Sequence, residues 1–337
     1  MRRALRFGEV LPPFGRPMLT STPICKSLPP EGWLRRRYGL AAPWRPGPTF
    51  FNSLRMTAIH SNRDDATIRG FGAEWAAFDQ SQLEGEEYLR IFDGYFRIFP
   101  FDTLAANAEG FDLGCGSGRW AQCVAARVGK LHCIDASSLA IDVARKNLSG
   151  LMNVDFHVAS VDNIPLKDES QDFAYSLGVL HHVPDPKSAL GACVRKLKVG
   201  APFLLYLYYR FDNRPKWYRA LWRLTESPRW LISRLPFPLR RSLTDIIATS
   251  VYWPLARVAG LIERFDRDVS NLPLGSYRHL SFYSMRTDAL DRFGTRLEHR
   301  FTRAEIKRMM EAAGLTDVVF SDVEPFWVAV GRRSSTC

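Results

Sequence analysis

Between residues 110 and 210, short apolar runs alternate with segments whose apolar residues recur at helical spacing. Apolar runs of this kind, bounded by glycine, proline or acidic residues, are typical of buried strands. After the first run, for example, Trp120, Val124 and Val128 fall on one helical face. Strands that alternate with helices predict an α/β fold built on a parallel sheet. The strands predicted from this pattern are 111–113, 131–135, 154–159 and 203–209, and the helices are 138–148 and 187–197.

The same alternation returns near the end of the chain. Thr302, with Glu305 three residues later, has the pattern of a helix-capping box. Two apolar runs follow the predicted helix, at 318–320 and 326–330, and they predict a closing pair of strands that form a hairpin. Ahead of the first strand, a further helix is predicted around 84–99.

Three glycines at alternate positions follow the first predicted strand: Gly114, Gly116 and Gly118. A strand, a tight glycine-rich turn and a helix N-terminus together suit a nucleotide-like ligand. Glycine is needed there because the turn must visit positive φ and because side chains would block the ligand's approach to the backbone. The spacing is G-x-G-x-G rather than the G-x-G-x-x-G of dinucleotide-binding loops. An ordinary glycine-rich turn is the alternative.

The sequence D-L-G-C-G-S-G that begins at Asp112 resembles motif I of the class I S-adenosylmethionine-dependent methyltransferases. The resemblance implies that this loop passes beneath the methionine and ribose parts of S-adenosylmethionine. Five residues of the loop are then candidates for contact with the cofactor. They are Asp112, Gly114, Cys115, Gly116 and Gly118.

Asp135 ends the second predicted strand, 17 residues after Gly118. By resemblance to the family, an acidic residue at this place binds the ribose hydroxyls, and Ala136 lies beside it at the cofactor. A carboxylate suits this role because it offers acceptors to two vicinal hydroxyls at once. The alternative is that Asp135 caps the next helix.

Residues 160–166 resemble the adenine-side loop of the family when the two are aligned on Pro165. The family commonly has aspartate where this chain has Ser160. Either Ser160 bonds the adenine amino group, or Asp162 reaches in from two residues further on. The backbone N–H of Val161 is available to the adenine ring in both cases.

Residues 172–186 look like the fourth strand and following loop of the family, and they end in L-H-H-V-P-D-P, a signature of the branch called methyltransferase type 11. Open α/β sheets bind ligands outside the carboxyl ends of the strands where the strand order switches. Leu177 and Gly178 are therefore expected to flank the methionine part of the cofactor. His182 or His181 is a candidate general base for a hydroxyl acceptor, and a structural role for either ring is the alternative.

The sequence F-G-A-E-W that ends at Trp75 resembles an element that precedes motif I in small-molecule methyltransferases and helps close their pocket. Trp75 is therefore a candidate acceptor contact, and a helix packed on the sheet edge is the alternative. The resemblance covers roughly 70–209 and 300–331. It implies a Rossmann-like seven-stranded sheet, with six parallel strands, the last strand antiparallel and helices on both faces.

Between the fifth and sixth strands such a fold needs only one crossover helix, but this chain has residues 210–300 there. We expect a mostly helical cap that shapes the acceptor site, with Tyr208, Tyr277 and His279 as candidate acceptor contacts. Aromatic and aliphatic residues interleave with arginines over 214–241, and basic amphipathic helices of this kind can lie on an anionic membrane surface. A nucleic-acid partner is not expected, because no motif that reads nucleic acid occurs.

The net charge of +11 is concentrated at the N-terminus. Residues 1–55 carry ten basic and two acidic residues among many prolines, which leaves a surplus of only three basic residues for the remainder. This leader is predicted either to be a disordered tail or to be sequence upstream of a true start at Met56. The predicted divisions of the chain are 1–55, the leader; 56–209, the first part of the methyltransferase domain; 210–300, the cap; 301–331, the last helix and hairpin; and 332–337, a tail.

The six cysteines show no metal-ligand spacing, and several lie within apolar patterns, as expected for free thiols in a reducing compartment. No run of about 18 uninterrupted apolar residues occurs, which argues against a membrane-spanning helix. A cytoplasmic protein without a resident metal is therefore expected.

The resemblance to this family implies a methyltransferase that uses S-adenosylmethionine and acts on an oxygen or carbon atom of a small-molecule acceptor. The acceptor classes left open are sugars, natural products and lipid- or quinone-like molecules. Two other classes of function are retained as alternatives. One is a protein of the same fold with an interaction or membrane-surface role, and the other is a nucleotide-dependent oxidoreductase, which the glycine spacing disfavours.

Overall fold

The computed structural model describes residues 61–83 and 85–335, so the predicted leader and the alternative start at Met56 lie outside the described residues. The described chain forms one seven-stranded sheet. Its strands are β1 (Glu109–Leu113), β2 (Lys130–Asp135), β3 (Val154–Val158), β4 (Phe173–Leu177), β5 (Pro202–Tyr206), β6 (Leu315–Phe320) and β7 (Ala329–Arg333).

The strand order is β3-β2-β1-β4-β5-β7-β6. The pairs β1·β2, β1·β4, β2·β3 and β4·β5 are parallel, whereas β7 runs antiparallel to both β5 and β6. The prediction of six parallel strands and an antiparallel last strand is confirmed. The order reverses direction between β1 and β4, and ligands bind outside the carboxyl ends of the strands at such a point.

Helices cover both faces of the sheet, which is why the central strands read as apolar runs without alternation. All five residues of β4 are buried. One face packs Phe111 and Phe203 against the helices that hold Leu190 and Ile306, and the other face packs Leu131. The α-helices of the described residues are α1 (Asp65–Ala77), α2 (Gly85–Phe96), α3 (Arg119–Ala125), α4 (Ser138–Asn147), α5 (Pro186–Lys196), α6 (Lys216–Leu224), α7 (Glu226–Ile232), α8 (Phe237–Ile247), α9 (Trp253–Glu263), α10 (Phe282–Gly294) and α11 (Arg303–Ala312).

Several predicted boundaries are wrong by a few residues. The last strand begins at Ala329 rather than at residue 326, and it continues to Arg333 into the predicted tail. The residues ahead of it leave the sheet because the buried Trp327 ring donates a hydrogen bond from Nε1 to Asp212 at 2.9 Å. Strand β5 ends at Tyr206 rather than at residue 209. The chain then turns toward the cap, and Tyr209 forms an isolated bridge with Phe301.

The predicted helical cap is present between β5 and β6 and contains α6 to α10. Helix α8, a π-helical turn at Ala248–Tyr252 and helix α9 follow one another without leaving the right-handed helical conformation, so they form one long helix. The cap has a small core of its own that includes Ile232, Tyr252, Met285 and Phe293.

Candidate functional site

A pocket opens at the carboxyl ends of β1, β2 and β4, where the strand order switches. Its empty space is about 980 Å³, which includes open solvent at its mouth. Ten residues predicted from the sequence line it. They are Trp75, Gly114, Cys115, Asp135, Ala136, Ser160, Val161, Leu177, Gly178 and His182.

The glycine loop owes its shape to close packing as much as to φ. Gly114, Gly116 and Gly118 all have positive φ, at 78°, 53° and 78°. A Cβ atom on Gly114 would lie 2.3 Å from the side chain of Val179, and one on Gly116 would lie 2.7 Å from the ring of Trp75. The structure therefore places Gly114 in the pocket lining, whereas Gly116 and Gly118 shape the loop from outside the lining.

Asp135 stands at the end of β2 and braces the glycine loop. Its Oδ2 accepts a hydrogen bond from the N–H of Gly116 at 3.0 Å, and its Oδ1 accepts one from the N–H of Ser137 at 2.8 Å. Burial raises the pKa of Asp135, against the effect of these two donors. A carboxylate accepts about four hydrogen bonds, so each oxygen keeps a position for a ligand. The alternative role as a helix cap is wrong, because Ser137 caps α4.

The N-terminal segment forms a wall of the pocket that the sequence did not reveal. Asn62, Thr67, Ile68 and Phe71 line the pocket together with the predicted Trp75. The amide side chain of Asn62 makes two hydrogen bonds of 2.7 Å with the backbone of the loop after β4, at residue 185. The F-G-A-E-W motif contains two of these five wall residues, Phe71 and Trp75, and the other three carry no such signal.

Asp162 does not line the pocket, in contrast to Ser160 and Val161. It accepts a 2.7 Å hydrogen bond from the backbone N–H of Asn62 and so anchors the start of that wall. Asp112 also lies behind the lining, with its side chain buried in the sheet. Burial raises the pKa of Asp112 to about 8, and the nearby Asp135 carboxylate adds to the rise.

The two neighbouring histidines have different surroundings. His182 lines the pocket, and its Nδ1 lies 2.7 Å from the carbonyl oxygen of Leu297. Because a carbonyl oxygen can only accept, Nδ1 carries the proton, and Nε2 is left with a free lone pair. Among the residues that the structure describes, Nε2 has no hydrogen-bond partner, and it lies 3.9 Å from Oδ1 of Asp291. Burial lowers the pKa of His182 to about 4.

His181 is fully buried behind the pocket, with its ring 3.9 Å from the rings of both His182 and Tyr208. Neither of its ring nitrogens has a hydrogen-bond partner in the described part of the chain. Burial lowers the pKa of His181 well below its ordinary value. Packing therefore accounts for His181, and only His182 is placed to meet a ligand.

The residues predicted to contact the acceptor in and near the cap do not lie together in the pocket. The hydroxyl of Tyr208 donates to Asp291, and neither of these residues lines the pocket. Tyr277 packs in the cap against Tyr252, with ring centroids 5.2 Å apart. The side chain of His279 is 55% exposed and pairs with Glu263 at 2.9 Å. The structure thus places Tyr277 and His279 away from the pocket, contrary to the expectation.

A cluster of metal-ligating residue types forms where no such spacing was visible in the sequence. His132, Asp155 and His157 lie on one face of β2 and β3, with their ligand atoms within 4.8 Å of one another. Protein groups already satisfy them. The two rings share a 3.1 Å hydrogen bond, His132 bonds Glu109 at 2.7 Å, and Asp155 pairs with Lys130 at 2.9 Å. The cluster is therefore a structural polar network at the sheet edge.

Comparisons with known proteins point to one kind of protein. Residues 111–205 match the family model described as "Methyltransferase domain". The ubiquinone biosynthesis O-methyltransferase of Saccharophagus degradans is 30% identical over 168 residues, which are 48% of this chain and 69% of that protein. The protein with the same name from Xanthomonas oryzae pv. oryzae is 33% identical over 102 residues, or 30% of this chain and 43% of that protein.

The match to several of these curated relatives thus spans less than half of their length. Among solved structures, a SAM-dependent methyltransferase from Methanosarcina mazei has 19% sequence identity and a TM-score of 0.42. That alignment covers 71% of this chain and 99% of the other.

Proposed function

The chain belongs to the class I S-adenosylmethionine-dependent methyltransferases, and from this premise we propose that it methylates an oxygen atom of a small-molecule acceptor. One observation carries the proposal. Gly114, Asp135 and the ring of His182 line the same pocket, and Nε2 of His182 carries a lone pair that has no hydrogen-bond partner among the described residues. The residues expected to hold the cofactor and a candidate proton acceptor are therefore neighbours in one pocket.

The residues present fit the cofactor of this family. Asp135 keeps a free acceptor position on each oxygen for the two ribose hydroxyls. A Cβ atom on Gly178 would meet nothing within 4 Å, so the backbone there borders open space, as a site for the methionine part requires. Ser160 and Val161 are left for the adenine. When bound, S-adenosylmethionine supplies a methyl group on a sulfonium, which is already activated for attack.

The chain's own residues then orient the acceptor and accept its proton. The carbonyl of Leu297 holds the proton on Nδ1 of His182, which leaves the lone pair on Nε2 as the base for the acceptor hydroxyl. The imidazolium that forms lies 3.9 Å from Asp291, whose charge stabilises it. Phe71 packs against the His182 ring, with centroids 4.9 Å apart, and helps to exclude water.

The weakness of this base favours one class among the possible acceptors. With a pKa of about 4, His182 accepts a proton from a phenolic hydroxyl, whose ordinary pKa is about 10, far more readily than from an aliphatic alcohol. We therefore propose a phenol- or quinol-like acceptor in preference to a sugar. The printed name of the Saccharophagus degradans relative, an O-methyltransferase of ubiquinone biosynthesis, supports the same class.

Radiolabelled methyl transfer tests this proposal directly. The purified protein is incubated with methyl-labelled S-adenosylmethionine and a bacterial extract, and the labelled products are fractionated by charge and polarity. We expect the label in an apolar product whose methyl group is bound to oxygen. Calorimetric binding of a nicotinamide dinucleotide without binding of S-adenosylmethionine would overturn the proposal in favour of an oxidoreductase.

Asp135→Ala should weaken cofactor binding strongly. Two hydrogen bonds to a charged acceptor are lost, and each contributes about 1.5–3 kcal/mol, so the Kd for S-adenosylhomocysteine should rise by a factor of about 100 or more. Titration calorimetry measures this change. Asp162→Asn is the matched control, because Asp162 lies outside the pocket lining and its amide can still accept from Asn62. An equal loss in both variants would contradict the assignment of Asp135.

The rate of methyl transfer should fall as the pH drops through about 7. Burial raises the pKa of Asp291 to about 7, and the carboxylate of Glu298 adds to the rise. Protonation below that pH removes the negative charge beside His182. In Asp291→Asn the amide oxygen can still accept a hydrogen bond from Tyr208. We expect this variant to have a lower kcat at high pH and no fall in kcat near pH 7. A profile of kcat against pH for both proteins decides the matter, and an unchanged fall in the variant would exclude Asp291 as its cause.

A further inference from the structure

The long helix of the cap buries small and polar side chains and exposes large apolar ones. Its buried positions are mostly small or polar, and include Arg240, Thr244, Ala248, Ala256 and Ala259. Many of its water-facing positions are large and apolar, whereas a surface helix of a globular protein normally turns such residues inward. The large apolar residues exposed on this helix and at its end are Leu239, Ile246, Val251, Trp253, Leu255, Val258, Leu261 and Phe265.

The two helices ahead of it also expose large apolar residues. Helix α6 has no buried residue, and Trp217, Leu221 and Leu224 recur along it at helical spacing with 53%, 44% and 73% of their surface exposed. Helix α7 adds Trp230 and Leu231, which are 59% and 58% exposed. Single exposed apolar side chains are ordinary, but an accumulation in one insertion marks an interaction surface. We call these thirteen residues of α6, α7 and the long helix the cap face.

The charge around the cap face is mainly positive. Between residues 216 and 265 there are nine basic residues and three acidic ones. The three acids are already paired, Glu226 with Arg292, Asp245 with Arg286 and Glu263 with Arg278. Seven of the basic side chains are not buried and have no carboxylate within 4.0 Å among residues 61–83 and 85–335. They are Lys216, Arg219, Arg223, Arg234, Arg241, Arg257 and Arg264.

Exposed apolar residues together with unpaired basic residues indicate what kind of surface the cap face binds. Large aliphatic residues and tryptophan beside unpaired arginines are the composition of helices that lie in the plane of an anionic bilayer surface. Stacking of the Arg234 guanidinium on the ring of Trp230, at 4.1 Å, keeps the charge next to the apolar surface. None of the described helices has the length and apolar character needed to cross a membrane.

We propose that the cap face docks on the surface of an anionic lipid bilayer. The helices lie in the headgroup region with their apolar side chains toward the acyl chains, and the arginines contact lipid phosphates. The contact extends well beyond the segment 214–241 that the sequence indicated, because most of the exposed apolar residues lie on the long helix. This inference concerns binding alone and stands whether or not the acceptor proposal is correct.

Co-sedimentation of the full chain with vesicles tests the inference. One set of vesicles contains phosphatidylcholine only, and the other contains 30% phosphatidylglycerol (about one lipid in three, enough for a negative surface potential). The face variant carries Ile246→Ser, Val258→Ser and Leu261→Ser. The control variant changes three residues of matching exposure outside the cap, with Leu139→Ser, Val199→Ser and Val319→Ser. Equal melting temperatures and equal S-adenosylhomocysteine affinities establish that both variants are folded.

We expect the protein and the control variant to sediment with the anionic vesicles, and high salt to weaken this binding. The face variant should lose at least tenfold in the partition coefficient. Absence of sedimentation, or equal sedimentation of the two variants, would overturn the proposal. So would a stable dimer in light scattering that the face variant converts to a monomer without any vesicle binding, because the cap face would then be a contact between two copies.

Discussion

His182→Asn is expected to lower kcat by a factor of about 10² to 10⁴, the usual contribution of a general base, and to leave the affinity for S-adenosylhomocysteine within threefold (roughly the scatter of binding measurements for unrelated substitutions). The amide nitrogen of asparagine can still donate to the carbonyl of Leu297, as Nδ1 of His182 does. Its oxygen cannot take up a proton at neutral pH, so only the proton acceptor is removed.

His181→Phe is the control for this change. The ring of His181 has no hydrogen-bond partner in the described chain and stacks on Tyr208, so a phenyl ring should preserve the packing. We expect its kcat to fall by less than tenfold, because no proton acceptor of the pocket is lost. Initial rates of label transfer at saturating cofactor measure both variants. Equal losses in the two would show that the histidine pair acts by packing alone.

Glu298→Gln is expected to lower the free energy of unfolding by about 3–5 kcal/mol, the cost of removing one partner from a buried ion pair. The side chain of Glu298 is 2% exposed and lies 2.6 Å from Arg300, 3.1 Å from Arg292 and 3.5 Å from Arg229. These arginines come from α7, α10 and the end of the insertion, so the carboxylate joins two helices of the cap to the segment that returns to the sheet domain. Glutamine leaves three positive charges buried around a neutral amide.

The control is Glu226→Gln, which removes a carboxylate from two of the same arginines, Arg292 and Arg229, at a position 39% exposed. An exposed pair contributes about 0–1 kcal/mol to the free energy of unfolding, so chemical denaturation should separate the two variants clearly.

Burial alone would raise the pKa of Glu298, but the arginines outweigh it and hold that pKa below its ordinary value. The stabilisation is therefore present above the unfolded pKa and is lost as the pH falls through the folded one. If Glu298→Gln lost as much stability on acidification as the unchanged protein does, the Glu298 carboxylate would not be the source of that loss.

The sheet and half of the pocket could be predicted because their signals are local. Each strand is a short apolar run with glycine, proline or aspartate at its end, and the loop residues that line the pocket follow those runs directly. Asp135 illustrates the point, because a strand that ends in an acid just before a helix places that carboxylate at the sheet edge.

The remainder depends on contacts between distant parts of the chain. Asn62 joins the pocket wall by binding residues 100 and 123 positions away, and its own neighbourhood carries no pattern that indicates this. The distinction between His181 and His182 rests on a carbonyl 115 residues further on. In the cap, arginines beside apolar residues indicated amphipathic helices, but only the packing shows that the apolar side of the long helix faces water.

The carbonyl that fixes the proton on His182 belongs to Leu297, the residue directly before Glu298. The cap arginines that hold Glu298 therefore also hold the hydrogen bond that selects the tautomer of the base. If the cap moves away from the sheet domain, the carbonyl leaves with it and the proton can move to the other ring nitrogen, where the base no longer functions. The contact between the cap and the sheet domain is thus thermodynamically linked to the tautomer of His182. Whatever stabilises that contact also favours the tautomer with its proton on Nδ1.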